Sequence, residues 1–234
     1  MAGATAGSDP ALIPGRHGPA IIAHGAGNTA ALVREAIARK ADFVEVDLWV
    51  HRGRFEARHE RAAYPLPVLF EKWYLRWAPR RRFGLGELIR EADGQVGLFL
   101  DLKSGGAEAA ALIRGALDEA GPGPSLVASS QHWETLRAVS RAVPEVDLFY
   151  SIDVPAKLHL FLSVSQRDGA PRGVSCRHEL LSLPTVKELH DRGLLVAAWT
   201  VDEPDRAAEL AAWGVDALTT HRVADVRQRL GLAS

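Results

Sequence analysis

The chain has 234 residues, 47% of them apolar and 24% charged, the proportions of an ordinary globular protein able to bury a sizeable core. A formal net charge of −1 excludes nucleic-acid binding by bulk electrostatics. The one cysteine, Cys176, excludes an internal disulfide and reads as a small buried residue.

The first stretch, residues 1–18, is small and Gly/Pro-rich and reads as a flexible segment ahead of a single domain over 19–234. It lacks a basic region followed by an apolar one, so no secretory signal is expected. No run approaches the roughly 20 apolar residues needed to cross a bilayer, which predicts a cytoplasmic protein with peripheral membrane contact left open.

Residues 20–23 read as a buried strand ending at His24. In the loop that follows, Asn28 or Thr29 can cap a helix over 30–40, whose Leu32, Val33, Ala36 and Ile37 form one apolar stripe. The next strand, residues 43–50, carries Glu45 and Asp47 inside an apolar run. Side chains alternate with period two, so both acids face the same way. Two like charges in low dielectric need a compensating cation, and an oxygen-preferring divalent ion, Mg2+ or Ca2+, answers that need. A turn at Arg52-Gly53 then returns the chain as 54–59, a hairpin above the strand that brings His59 back towards the acids.

Residues 64–83 read as a less regular stretch, unusually aromatic and basic. A helix over 85–92 precedes a strand over 96–102 that leads through Asp101 to Lys103. A helix over 107–120 stops at Gly121-Pro122-Gly123-Pro124. The alternation then continues with strands at 126–130, 147–151, 173–176, 195–201 and 215–220, followed by helices at 132–142, 155–163, 184–192, 204–213 and 222–230. Eight strands precede helices, ending near His24, Asp47, Lys103, Ser130, Ser151, Arg177, Val201 and Thr220, which predicts a closed (β/α)8 TIM barrel. His24, Glu45, Asp47, Asp101, Lys103, Trp199 and His221 all fall at or just beyond carboxyl ends of strands, the face on which barrel enzymes build their sites.

In order along the chain stand Ala23-His24-Gly25, Gly27-Asn28-Thr29, residues 40–47 (KADFVEVD), Arg58-His59-Glu60, Asp101-Leu102-Lys103, Trp199-Thr200-Val201-Asp202 and residues 214–221 (GVDALTTH). Over residues 20–225 this series resembles the glycerophosphodiester phosphodiesterase family, metal-dependent barrels within the phosphatidylinositol-phospholipase-C-like group. The resemblance implies a metal-dependent phosphodiesterase with His24 and His59 as general acid and base, in an order it leaves open. The chain departs from the family pattern at several positions. In the phosphate loop Gly25 stands where the family has an arginine and Gly27 where it has a glutamate. Elsewhere Glu60 and Asp101 stand where it has an aspartate and a glutamate, and His221 where it has a final aspartate.

Glu45, Asp47 and Asp101 would supply three oxygen ligands to the cation. The competing reading pairs each acid with a nearby Arg or Lys, Lys103 foremost. Imidazole titrates near pH 6.5 and suits both the activation of a nucleophile and the protonation of a leaving alkoxide. Lys103 would join the metal in stabilising phosphate charge, Trp199 would wall the head group or simply pack the rim, and His221, Arg58, Arg61 or His51 would replace the missing arginine. Residues 69–83, with Trp73, Tyr74, Trp77, Arg76, Arg80, Arg81 and Arg82, read either as an interfacial element favouring lysophospholipids or as a loop whose tryptophans cover the barrel.

These features predict hydrolysis of a glycerophosphodiester or lysophospholipid-like ester. The alternatives are a degenerate barrel that binds a phosphate-bearing ligand or lipid without turnover, and a phospholipase-D-like removal of a head group.

Overall fold

The computed structural model describes residues 12–13, 17–72, 74–79, 82–120, 125–164 and 171–232. Most of the segment read as a flexible leader, the breaker at 121–124, and Trp73, Arg80 and Arg81 lie outside the described residues.

In chain order the first strand and helix are β1 (Ala20–Ala23) and α1 (Ala30–Ala38), followed by β2 (Phe43–Val50) and β3 (Phe55–Ala57). Three short strands follow, β4 (Arg61–Ala62), β5 (Val68–Glu71) and β6 (Tyr74–Trp77), then α2 (Leu85–Ala92). The remaining strands are β7 (Gly97–Leu102), β8 (Leu126–Ser130), β9 (Asp147–Ile152), β10 (Gly173–Arg177), β11 (Leu195–Trp199) and β12 (Ala217–Thr220). They alternate with α3 (Gly106–Ala120), α4 (Trp133–Ala142), α5 (Pro155–Val164), α6 (Leu183–Asp191), α7 (Pro204–Ala212) and α8 (Val223–Arg229).

Strands β2, β7, β8, β9, β10, β11, β12 and β1 pair in parallel in that order, and β1 pairs back to β2. The sheet therefore closes into the eight-stranded TIM barrel that the alternation predicts.

Period two sorts each stave. On β2, Val44, Val46 and Leu48 face the helices within the larger apolar core, while Phe43 joins a separate cluster inside the barrel with Ile22, Phe99 and Phe149. Gly97 and Gly173 make room for this aromatic floor. A Cβ on Gly97 would come within 2.4 Å of the Phe43 ring, and one on Gly173 within 2.7 Å of Phe149. The same interior parity carries β2 from Phe43 to Glu45 and Asp47, β7 from Phe99 to Asp101, and β1 from Ile22 to His24. Apolar floor and charged rim are thus successive layers of one alternation.

The β2–β3 hairpin forms as the Arg52-Gly53 turn predicts: both residues have positive φ (49° and 73°), and His51 and Arg54 exchange backbone hydrogen bonds across them. Leu48 pairs with Ala57 and Val50 with Phe55. Residues 64–83 require a correction. Instead of an irregular stretch they hold most of a three-stranded antiparallel sheet, β4–β5–β6, hydrogen-bonded apart from the barrel. Its strands have at most four residues and one of its faces is apolar yet exposed, so alternation of apolar and polar residues does not reveal it. Trp77 stands 76% exposed on this sheet and does not cover the barrel.

Two buried glutamates, Glu56 and Glu60, tie the hairpin to the segment that follows it. Glu56 accepts from Arg58 Nε (3.1 Å) and from the Tyr64 hydroxyl (2.6 Å), and Glu60 accepts from Arg76 Nε (2.6 Å) and the Tyr74 hydroxyl (3.1 Å). Burial opposes the charge of both glutamates, yet these hydrogen bonds and the neighbouring arginines hold their pKa values below the usual range. His59 sits between Arg58 and Glu60, so its backbone is pinned on both sides.

Candidate active site

Strands β2 and β7 lie side by side in register, Asp47 opposite Asp101 and Glu45 opposite Phe99. The carboxylates of Glu45, Asp47 and Asp101 consequently converge, each offering an oxygen within 4.8 Å of the others. Glu45 and Asp47 are almost wholly buried. Burial, reinforced by Asp47 and Asp101, pushes the Glu45 carboxyl well above its ordinary pKa, and burial also raises Asp101. Lys103 Nζ lies 2.8 Å from Asp47 Oδ1 and also pairs with Asp101. Burial opposes the lysine's charge, but the two aspartates outweigh it and raise its pKa.

One lysine thus serves two of the three acids and leaves excess negative charge in a buried place. That donor set, all oxygen and under-neutralised, fits a hard divalent cation.

His24 enters from the end of β1, where its amide donates to the Thr220 carbonyl at 2.9 Å. Its Nδ1 is 3.1 Å from Thr200 Oγ1, and its Nε2 is 3.9 Å from Glu45 Oε2. Burial, with His221 nearby, lowers its pKa to about 4 and keeps the ring neutral. His59 is more exposed and its Nδ1 lies 3.1 Å from Glu71 Oε2 on β5.

His24, Glu45, Asp47, His59, Asp101 and Lys103 line one cavity of about 180 Å³, with Trp199 on its rim. His221 does not line it: its ring packs at a tilt against His24, centroids 4.4 Å apart, and its Nδ1 lies 2.9 Å from Asp202. A second cavity of about 570 Å³ shares His59, Asp101 and Lys103 and extends towards Arg61, Phe70 and Lys72 of the small sheet.

The loop after His24 explains two of the departures. Gly25 adopts φ 65°, a left-handed conformation that a side chain resists, and its amide donates to Glu45 Oε2 at 2.6 Å. A Cβ on Gly27 would lie 2.6 Å from Val46 Cβ and 3.0 Å from the Glu45 carbonyl, so no glutamate fits there. Of the residues considered for the missing arginine, Arg58 is buried against Glu56 and stacked over Trp49 at 4.9 Å, and His51 stacks on Tyr64 at 3.6 Å. Both are committed to packing. Arg61 is exposed on the wall of the larger cavity.

Four supporting residues escape a reading of the sequence. Asn28 caps nothing: Thr29 Oγ1 accepts from Leu32 N, while Asn28 Nδ2 donates to Asp47 Oδ2 and its Oδ1 accepts from Asp47 N, each at 3.2 Å. Glu71, Thr200 and Asp202 orient His59, His24 and His221 in turn. Position within the Gly-Asn-Thr and Trp-Thr-Val-Asp motifs signals Asn28, Thr200 and Asp202, whereas nothing local signals Glu71.

A closed parallel barrel with ionisable groups gathered at the carboxyl ends of its strands is the architecture of an α/β-barrel enzyme. The family model described as the glycerophosphoryl diester phosphodiesterase family matches residues 106–225. The chain belongs to this family and is a phosphodiesterase, a phosphoric diester hydrolase. A search of curated proteins finds no match.

Among solved structures, a phosphodiesterase of Oleispira antarctica in complex with the product sn-glycerol-3-phosphate is 18% identical, with a TM-score of 0.74 over 92% of this chain and 97% of that one. A glycerophosphodiester phosphodiesterase of Thermotoga maritima is 16% identical, with a TM-score of 0.72 over 93% and 100% of the two chains. One from Parabacteroides distasonis is 18% identical, with a TM-score of 0.74 over 93% and 99%. The likeness spans nearly the full length of each. Among the described residues no helix is long and apolar enough to cross a membrane.

Proposed function

We propose that this chain hydrolyses a glycerophosphodiester with a divalent cation, Mg2+ or Ca2+, held by Glu45, Asp47 and Asp101, and with His24 and His59 as the proton carriers. The observation behind this reading is that two imidazoles and three carboxylates line a single cavity of about 180 Å³. When bound, the cation neutralises charge gathering on the phosphate oxygens.

His24, neutral and held by Thr200, accepts the proton of the attacking hydroxyl, whether of water or of the substrate's own neighbouring alcohol. As the new P–O bond forms, the bond to the leaving oxygen breaks and its electron pair stays on that oxygen. His59 supplies the proton that completes the alcohol. Glu71 accepts from His59 Nδ1 and so presents Nε2 to the cavity. Lys103 keeps Asp47 and Asp101 together and adds positive charge beside the phosphate. Arg61, on the wall of the larger cavity, takes the part of the absent loop arginine, and that cavity receives the substituent beyond the phosphate. A product like the sn-glycerol-3-phosphate of the Oleispira enzyme fits this scheme.

The test is turnover of glycerophosphocholine with Mg2+, Ca2+ or EDTA by the wild type, His24→Ala and His59→Ala. Activity that needs the metal and falls by about 10²–10⁴ in each variant is expected. Tight ligand binding without any turnover would mark a barrel that has lost its chemistry.

A further inference from the structure

Register places Arg61, Phe70 and Leu75 in one row across β4, β5 and β6, with Val68 and Trp77 paired beside them. These side chains share one face of the small sheet. The opposite face is anchored: Leu69 is fully buried and Arg76 and Tyr74 bond Glu60. On the shared face Leu75 is 71% exposed, Trp77 76% and Phe70 36%, and Leu66 just before β5 is 61% exposed. Such concentrated apolar exposure on a few neighbouring residues marks a surface built to meet something apolar.

Two further observations identify the occupant. Lys72 is exposed beside this face and carries no acidic partner among the described residues, so a basic group apart from the phosphate-binding Arg61 is free to meet an anionic surface. The face is also continuous with the site, because Arg61, Phe70 and Lys72 line the cavity of about 570 Å³ whose far wall is His59, Asp101 and Lys103. That volume falls in the range of about 300–1,000 Å³ usual for enclosed small-molecule ligands. An amphiphile with its phosphate at the acids would run its chain along Phe70 towards Leu75 and Trp77.

We propose that the β4–β6 sheet docks on a lipid surface and that the substrate is a phosphodiester bearing an acyl chain, drawn from that surface into the larger cavity. This rests on the phosphodiesterase reading of the site for its chemistry, and on the sheet alone for its membrane contact.

The full chain should be sedimented with vesicles of phosphatidylcholine alone and of phosphatidylcholine with phosphatidylglycerol, beside the double variant Leu75→Ser/Trp77→Ser, neither residue of which lines either cavity. The wild type is expected to partition onto the anionic vesicles, less so as salt is raised, and the double variant to lose at least about tenfold in partitioning. The same variant should retain turnover of glycerophosphocholine and lose turnover of micellar lysophosphatidylcholine. Absence of vesicle binding by the wild type, or equal binding by the variant, overturns the proposal. So does a concentration-dependent dimer that the double variant abolishes, which would assign the face to a second copy of the chain. Vesicle binding with no turnover of either substrate would uphold the docking face while refuting the chemistry.

Discussion

Glu45 is buried within reach of two other carboxylates, and its charge is a burden until a cation arrives. Its folded pKa lies above the ordinary 4.5, so the penalty is absent below 4.5, grows as pH rises above it and levels off only once pH passes the folded value. Glu45→Gln keeps an oxygen for the Gly25 amide and removes the charge. The metal-free variant should therefore melt above the metal-free wild type at pH 7, by ~2–4 °C for each kcal/mol relieved, and the gap should close towards acid pH. The variant should also lack the rise in Tm that Mg2+ or Ca2+ gives the wild type, as scanning calorimetry would read. At His59, Glu71→Ala should lower kcat with little change in KM, by less than the roughly 10²–10⁴ expected of His59→Ala. The two acids on β2 are legible in the sequence because parity alone brings them together. Asn28 is marked by its motif, but its bond to Asp47, across 19 positions, is not legible. Glu71 is not legible at all, since it reaches His59 across a sheet whose pairing no alternation announces.

The tight element of the site is the turn of residues 25–29 laid against β2. Restoring the glutamate that the family pattern has at position 27 would drive a side chain into Val46 and the Glu45 backbone. Gly27→Glu should cost at least ~1–3 kcal/mol in urea unfolding and should loosen Asn28 from Asp47, lowering metal affinity with it. The hairpin and small sheet respond to acid instead. Glu56 and Glu60 have folded pKa values below 4.5, so their contribution is complete above that pH and is lost as pH falls through the folded values. Tryptophan fluorescence, with Trp77 on the sheet and Trp49 under Arg58, should report acid loosening here that Arg58→Ala moves to higher pH. The barrel staves and their helices are read from the sequence within a residue or two, because each buries a regular stripe. Strands β4, β5 and β6 elude that reading because they bury so little.

Across the whole molecule the alternation that closes the barrel also stacks its interior, with phenylalanines at the floor and ionisable groups at the mouth. Eightfold order was therefore legible together with the face that carries the site, while the shape of the mouth was not. The excursion from residues 61–77 hydrogen-bonds as a sheet of its own and contributes no rung to the barrel ladder. Under the reading proposed above, recognition and chemistry fall on separable parts of the chain, and Glu71 on the small sheet bonds His59 at the site. Transplanting the equivalent loop of another family member should change which esters are preferred while leaving the scaffold intact, provided an acceptor for His59 Nδ1 travels with the graft.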